Sequence, residues 1–205
     1  MASLVVQSAT SGLITGEHLR QRIVVRDGGR VRVVGQGAMP VQKAQSQQGS
    51  AEDLQLNVVS GSRLEFFAEP RLLFPGSEFS QVTKVALDCS SDMVLVDAVV
   101  RHPEPGAVSY SSEIRLEFDG TVVAVERMGF ASVPEDRFGA TALILAVGGF
   151  VAGLDWKPWL EKHSTPTSYG AVSPLRECTG ASVRIVADDG RHLRAAIDDA
   201  LAILS

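Results

Sequence analysis

Between Arg63 and Phe79 the chain reads RLEFFAEPRLLFPGSEF, with Glu65, Glu69 and Glu78 set among aromatic and aliphatic residues. Carboxylates confined with apolar bulk can exchange protons in a catalytic pocket, offer oxygens along a metal path, mark a partner surface, or simply end a strand. Strand alternation puts Glu65 on a solvated face, whereas Glu69, next to Pro70, lies at a strand end and is placed to face a cavity. Asp97 is the sharper anomaly. The run DMVLVDAVVRH is apolar on both parities from Met93 to Val100 except at Asp97, as in a strand covered on both faces. A carboxylate there is costly unless paired or hydrogen-bonded, so it is either a satisfied structural group or a functional one.

The short motifs that tie spacing to mechanism are absent: no GxxxxGK[ST] loop, HExxH helix or GxSxG elbow occurs. VGGFVAGL is the nearest approach to a dinucleotide loop, but Phe150 stands where a second glycine would admit the pyrophosphate. His18, His102, His163 and His192 are dispersed without metal-site spacing and read as surface or loop residues. Cys89 and Cys178 belong to no CxxC pair and read as free, buried thiols. A serine-histidine-acid triad leaves no spacing to read, and nothing here suggests one.

The 205 residues carry 19 basic and 24 acidic side chains, a net charge of -5, mixed along the chain. No basic face of the kind that neutralises phosphates results, which argues against nucleic acid as a partner. The N-terminal MASLVVQSATSGLITG lacks the basic segment and apolar length of a signal peptide, and no window is apolar enough to span a bilayer. A cytoplasmic protein of one domain, residues 1–205, is expected, with no membrane partner.

Most of the first 130 or so residues read as strands joined by short turns. RIVVRDGGRVRVVG looks like a hairpin around Asp27-Gly28-Gly29, and in LQLNVV the residues Leu54, Leu56 and Val58 alternate with polar ones. SEIRLEFDGTVVAVER predicts a second hairpin with Phe118 opposite Thr121, Leu116 opposite Val123 and Ile114 opposite Val125. ATALILAVGGFVAGL reads as a buried strand ending in glycines, and KPWLEKHSTPTSYGAVSP mostly as loop. A strand SVRIVA then leads through an N-cap at Asp188 or Asp189 into an amphipathic helix marked by Leu193, Ile197, Leu201 and Leu204. No repeat of fixed period is visible.

Several of these pieces resemble, in order, segments of the urease accessory protein UreD family, called UreH in some bacteria. SGLITGEHL, from Ser11 to Leu19, is similar to the family's glycine-rich GGxxxGD-x-L segment, with Gly16-Glu17 in place of the GD step. A V-x-G-x-G-A turn into VQKAQ resembles the family's ATKVY, and LEFFAEPRLLF resembles its LEWLPE/QxxIxF marker. The closing ASVRIVADDGRHLRAAIDDALAIL resembles its final strand and helix. The strand bearing Asp97 continues into RHPEPGAVSY, without the glycine-arginine and glycine-glutamate pair that commonly follows, and residues leading into the glycine segment are fewer, as in a short form.

The resemblance implies a mainly β fold of helical, stacked sheets with a few short helices, including the C-terminal amphipathic one. It implies a non-enzymatic scaffold that binds apo-urease with UreF and UreG, and allows a 2:2 assembly through UreF. Such a complex assists lysine carbamylation and insertion of two nickel ions, while UreG, not this chain, binds and hydrolyses GTP. No tightly bound cofactor is implied, only nickel in transit through an internal water-filled tunnel. On that reading Glu69 and Asp97 are tunnel-lining candidates, with Glu17 behind them. Carboxylate oxygens suit a hydrated divalent ion, and few of them avoid trapping it. An unrelated all-β protein-binding module, or a small hydrolase, would be the alternatives.

Overall fold

The computed structural model describes residues 1–7, 12–44, 48–132 and 138–205; Ser11 and Gln45, which end two of the quoted segments, lie outside the described residues. Two sheets lie face to face, and the chain coils between them. After β1 (Ala2–Val6), β2 (His18–Val25) enters the first sheet, and β3 (Arg30–Gly35) and β4 (Met39–Val41) enter the second. The next coil repeats this path through β5 (Ser50–Val58), then β6 (Arg63–Phe67) and β7 (Arg71–Leu73), and a third through β8 (Glu78–Leu87), then β9 (Asp92–Arg101). β10 (Val108–Phe118) and β11 (Thr121–Ser132) complete the first sheet, in the order β11-β10-β8-β5-β2. β12 (Ala140–Val147), β13 (Ser168–Pro174) and β14 (Gly180–Ala187) extend the second, whose order is β1-β3-β6-β9-β12-β14-β13, with β4 on β7 and β7 on β9. The expected mainly β, stacked-sheet architecture is therefore present. Its helices are α1 (Lys157–Lys162) and α2 (Gly190–Ile203), and among the described residues none is long and apolar enough to cross a membrane.

Equivalent strands of successive coils pair in parallel, which requires each connection to pass through the opposite sheet. That topology corrects the expected hairpin at Asp27. Asp27 and Gly28 do take positive φ, 58° and 69°, but the reversal they make hands the chain from β2 to β3 in the other sheet. The β10–β11 hairpin does form around Asp119 and Gly120, and Phe118 pairs with Thr121. A bulge between Leu116 and Glu117 then moves the register by one, so that Leu116 faces Ala124 and Ile114 faces Glu126. A one-residue shift exchanges the two faces of a strand, which turns Glu126 toward the space between the sheets.

At β9 and β12 the second sheet is covered on both sides, as the unbroken burial of β12 and of Met93–Val99 requires, whereas β1 at its edge is exposed throughout. α2 packs on its outer face through Leu193, Ala196, Ile197 and Ala200. The segment expected to be loop instead supplies α1, which starts with Pro158 in its first turn, and β13. Trp159 of α1 is buried in the same layer, and its Nε1 donates to the Ala196 carbonyl at 3.0 Å. At the start of α2 the Asp189 carboxylate accepts from the amides of Arg191 and His192, both at 2.9 Å, which also holds its pKa below the usual carboxylate value. Asp189→Ala is expected to cost about 1 kcal/mol, or a fall of about 2–4 °C in Tm, measured by thermal denaturation.

A polar layer between two apolar ones

The inward faces of the strands do not form one continuous apolar core. Along β8 the buried series runs Phe79, Gln81, Thr83, Val85, Leu87; along β9 it runs Val99, Asp97, Leu95, Met93; along β10 it runs Tyr110, Ser112, Ile114, Leu116. The polar members line up. Glu52 of β5 is in register with Gln81, and Gln81 with Ser112. A polar layer thus crosses the sandwich, with Leu54, Leu64, Met93 and Leu145 packed on one side and Leu73, Phe79, Val99 and Val108 on the other.

At its centre Arg71 of β7 meets Glu52. Arg71 Nε donates to Glu52 Oε2 at 2.8 Å and Nη2 to Oε1 at 2.7 Å, with side chains only 4% and 0% exposed. The paired geometry uses both carboxylate oxygens, as a buried ion pair must. Gln21 Nε2 donates to Glu52 Oε1 at 3.1 Å from one side, and Arg71 Nη1 donates to the Glu69 carbonyl at 2.7 Å. Asp97 adjoins the pair. Its Oδ1 accepts from Gln81 Nε2 at 3.1 Å, while Asp97 Oδ2 and Gln81 Oε1 have no hydrogen-bond partner among the described residues. Burial raises the Asp97 pKa; Arg71 and the Gln81 hydrogen bond oppose that rise only in part, and Glu52 adds to it. Burial likewise lifts Tyr110 well above its usual value, with the Asp97 charge adding to the effect. The Ser112 hydroxyl offsets part of the rise in both groups, and Asp97 Oδ2 and Tyr110 Oη have no hydrogen-bond partner among the described residues.

A cavity of about 150 Å³ opens at each side of this centre, roomy enough for several waters or a hydrated ion. Gln21, Gln36, Glu69 and Arg71 are in the wall of the first; Asp97, Ser112, Thr141 and Met128 are in the wall of the second. Glu126, turned inward by the β11 bulge, stands at the second cavity and accepts from Arg184 Nη2 at 2.6 Å and from Ser182 Oγ at 3.0 Å. That pair joins the two sheets at their margin.

Asp97 carries a consequence for pH. Its folded pKa lies above the ordinary value, so the folded state holds the proton more firmly than the unfolded chain does, and stability falls as pH rises between the two values. Asp97→Asn keeps the shape and removes the charge. It is expected to raise Tm by a few degrees at pH 7, an advantage that shrinks with acidification and is gone below about pH 4, where the unfolded carboxyl is protonated too. Thermal melts across that range test it.

A family model described as the UreD urease accessory protein matches residues 1–205. The chain belongs to the UreD family. It is 35% identical over 205 residues to urease accessory protein UreD of Mycolicibacterium smegmatis, covering 95% of this chain and 72% of that protein. It is 31% identical over 222 residues to urease accessory protein UreD 2 of a Bradyrhizobium strain, BTAi1, covering 100% and 75%. A third relative, urease accessory protein UreD 1 of Pseudomonas syringae pathovar tomato, is 28% identical over 212 residues, covering 96% and 74%. UreD membership replaces the alternative of an unrelated binding module.

Within this UreD chain the expected site residues separate. Asp97 lies in the polar layer and Glu69, between β6 and β7, in the wall of the first cavity. Glu17 lies apart, half-buried between the Thr15-Gly16 turn and β2, where its Oε2 accepts from the Ile14 amide at 2.8 Å. Glu65 is buried rather than solvated, because the guanidinium groups of Arg32 and Arg63 close over it at 2.6 and 3.0 Å. His163 is buried too, against Asp199 at 2.8 Å, whereas Cys89 is exposed and Cys178 partly so. Glu52, Arg71 and Gln81 are the members of the layer that the sequence reading passed over. Two left a signal: Glu52 shares parity with Leu54, Leu56 and Val58, and Gln81 with Phe79, Val85 and Leu87.

Proposed function

We propose that the protein is a non-catalytic scaffold of urease maturation, cytoplasmic, which binds apo-urease together with UreF and UreG and passes nickel toward the urease metallocentre. GTP belongs to UreG on this reading, and pairing through UreF gives a 2:2 assembly. The observation that carries the nickel role is the polar layer, with a cavity at each side and oxygen donors between them. Among the described residues no three His, Cys, Asp or Glu side chains gather into a cage. Scattered carboxylate and amide oxygens bind a divalent ion weakly, which suits passage better than storage. Asp97 and Glu69 are the carboxylates assigned to the path, with Glu17, bonded to the Ile14 amide, behind them.

Co-expression of the urease subunits and the other accessory proteins, with and without this chain, tests the reading through urease activity and bound nickel after pull-down. Both are expected to depend on the chain, and to fall several-fold with Asp97→Ala or Glu69→Ala while the complex still co-purifies. Undiminished nickel loading without the chain, or failure to bind urease and UreF, would overturn it.

A further inference from the structure

Resting on that reading, we propose that Glu52 and Asp97 form a transient divalent-cation site that the Arg71 guanidinium fills in the resting protein, so that an ion passes by displacing it. Charge is the first argument. Two buried carboxylates, Glu52 and Asp97, face one guanidinium at the centre of the layer, and its paired hydrogen bonds both go to Glu52, while Asp97 Oδ2 has no hydrogen-bond partner among the described residues. The donor set is the second. Asp97 Oδ2 and Gln81 Oε1 are buried acceptors with no partner among the described residues, and with the Glu52 carboxylate they offer only oxygen, the preference of hard divalent ions. Position is the third: Arg71 belongs to the wall of one cavity and Asp97 to that of the other, so the guanidinium stands where the two would join.

Arg71 also has somewhere to go. Its Nη1 already donates to the Glu69 carbonyl, and Glu69 and Gln36 are in the wall of the first cavity beside it. A guanidinium swung into that cavity finds the Glu69 carboxylate as its new partner. The exchange then balances: a dication between Glu52 and Asp97 neutralises both, and Arg71 is neutralised by Glu69. Oxygen ligands and a tethered competitor together keep the site from holding its ion for long.

The test is nickel binding by the purified full chain, read by equilibrium dialysis and by the change in Tm on adding Ni²⁺. Arg71→Met is expected to bind one further Ni²⁺ per chain at least about tenfold more tightly than wild type, since the competing state is removed. Ni²⁺ is expected to restore part of the variant's lost Tm, and to restore none in Arg71→Met/Asp97→Asn. Arg71→Lys keeps a positive charge in place, which protects the fold, but replaces the forked donor by a point charge that leaves more readily. It is expected to fall between wild type and Arg71→Met. Wild-type nickel binding in both folded variants overturns the proposal, as does equal binding in Arg71→Lys if Arg71→Met does not fold. Loss of urease activation by Asp97→Asn together with unchanged nickel binding in the Arg71 variants would retain the path and remove the displacement. Tighter binding in those variants, with activation indifferent to Asp97, would retain the site and remove the path.

Discussion

Arg71→Met is expected to lower the free energy of unfolding by about 3–5 kcal/mol at neutral pH, which for a chain of this size is a fall of roughly 10 °C in Tm. The loss comes less from the missing bonds than from what stays behind. Glu52, with its side chain fully buried, and Asp97 beside it would face the interior without a cation. The deficit narrows on acidification, because protonation of Asp97, whose pKa burial already raises, removes a charge that needs a partner. Replacing both members, as Glu52→Leu/Arg71→Met, is expected to recover the part due to Glu52, since an apolar pair of similar volume meets Leu54 on one side and Leu73 on the other, while Asp97 stays without its cation. Denaturant and thermal unfolding of the two variants measure the difference. A double variant no more stable than Arg71→Met would show that the layer depends on these groups beyond their mutual charge.

Trp159→Ala is expected to cost about 3–5 kcal/mol, the range for deleting a buried aromatic side chain. Trp159 is 2% exposed and ties α1 to α2 through the Ala196 carbonyl. Its ring lies so close to Gly170 of β13 that a β-carbon there would collide with it. No side chain at position 170 can share that space. The cavity left by alanine would also loosen His163, whose ring centroid is 5.2 Å from the indole and whose Nε2 meets Asp199 of α2. Thermal melts read the loss, and near-UV circular dichroism reports whether the outer layer keeps its packing.

Much of this was legible in residue order, and the remainder was hidden for physical reasons. Asp97 could be read because its strand is apolar on both parities, so one carboxylate breaks the pattern. Arg71 could not, because its partner Glu52 is 19 residues away and nothing in local spacing joins them. Glu65 does lie on the face opposite Leu64 and Phe66, as alternation requires, but two arginines cover that face. The stacked coils leave no fixed period because their lengths differ. His18 pairs with Ala51, an offset of 33 residues, and Ala51 with Ser80, an offset of 29. Glu126 faces inward only because of a bulge, and a bulge has no signature in a strand as regular as SEIRLEF.

The coils also differ in how firmly they are held. Each is stabilised chiefly by the next, as in any linear stack, and β1 and β2 are the outermost strands of their sheets. Amide hydrogens of β1 and β2 are therefore expected to exchange with solvent well before those of β9 and β12, which are flanked on both sides. The first cavity takes part of its wall from this outermost coil, through Gln21, Val33 and Gly35, whereas the second is walled by interior strands and by β11, an edge strand that Arg184 ties to the other sheet through Glu126. Breathing of the stack at its end would widen one mouth and leave the other shut, giving a symmetrical-looking layer a direction.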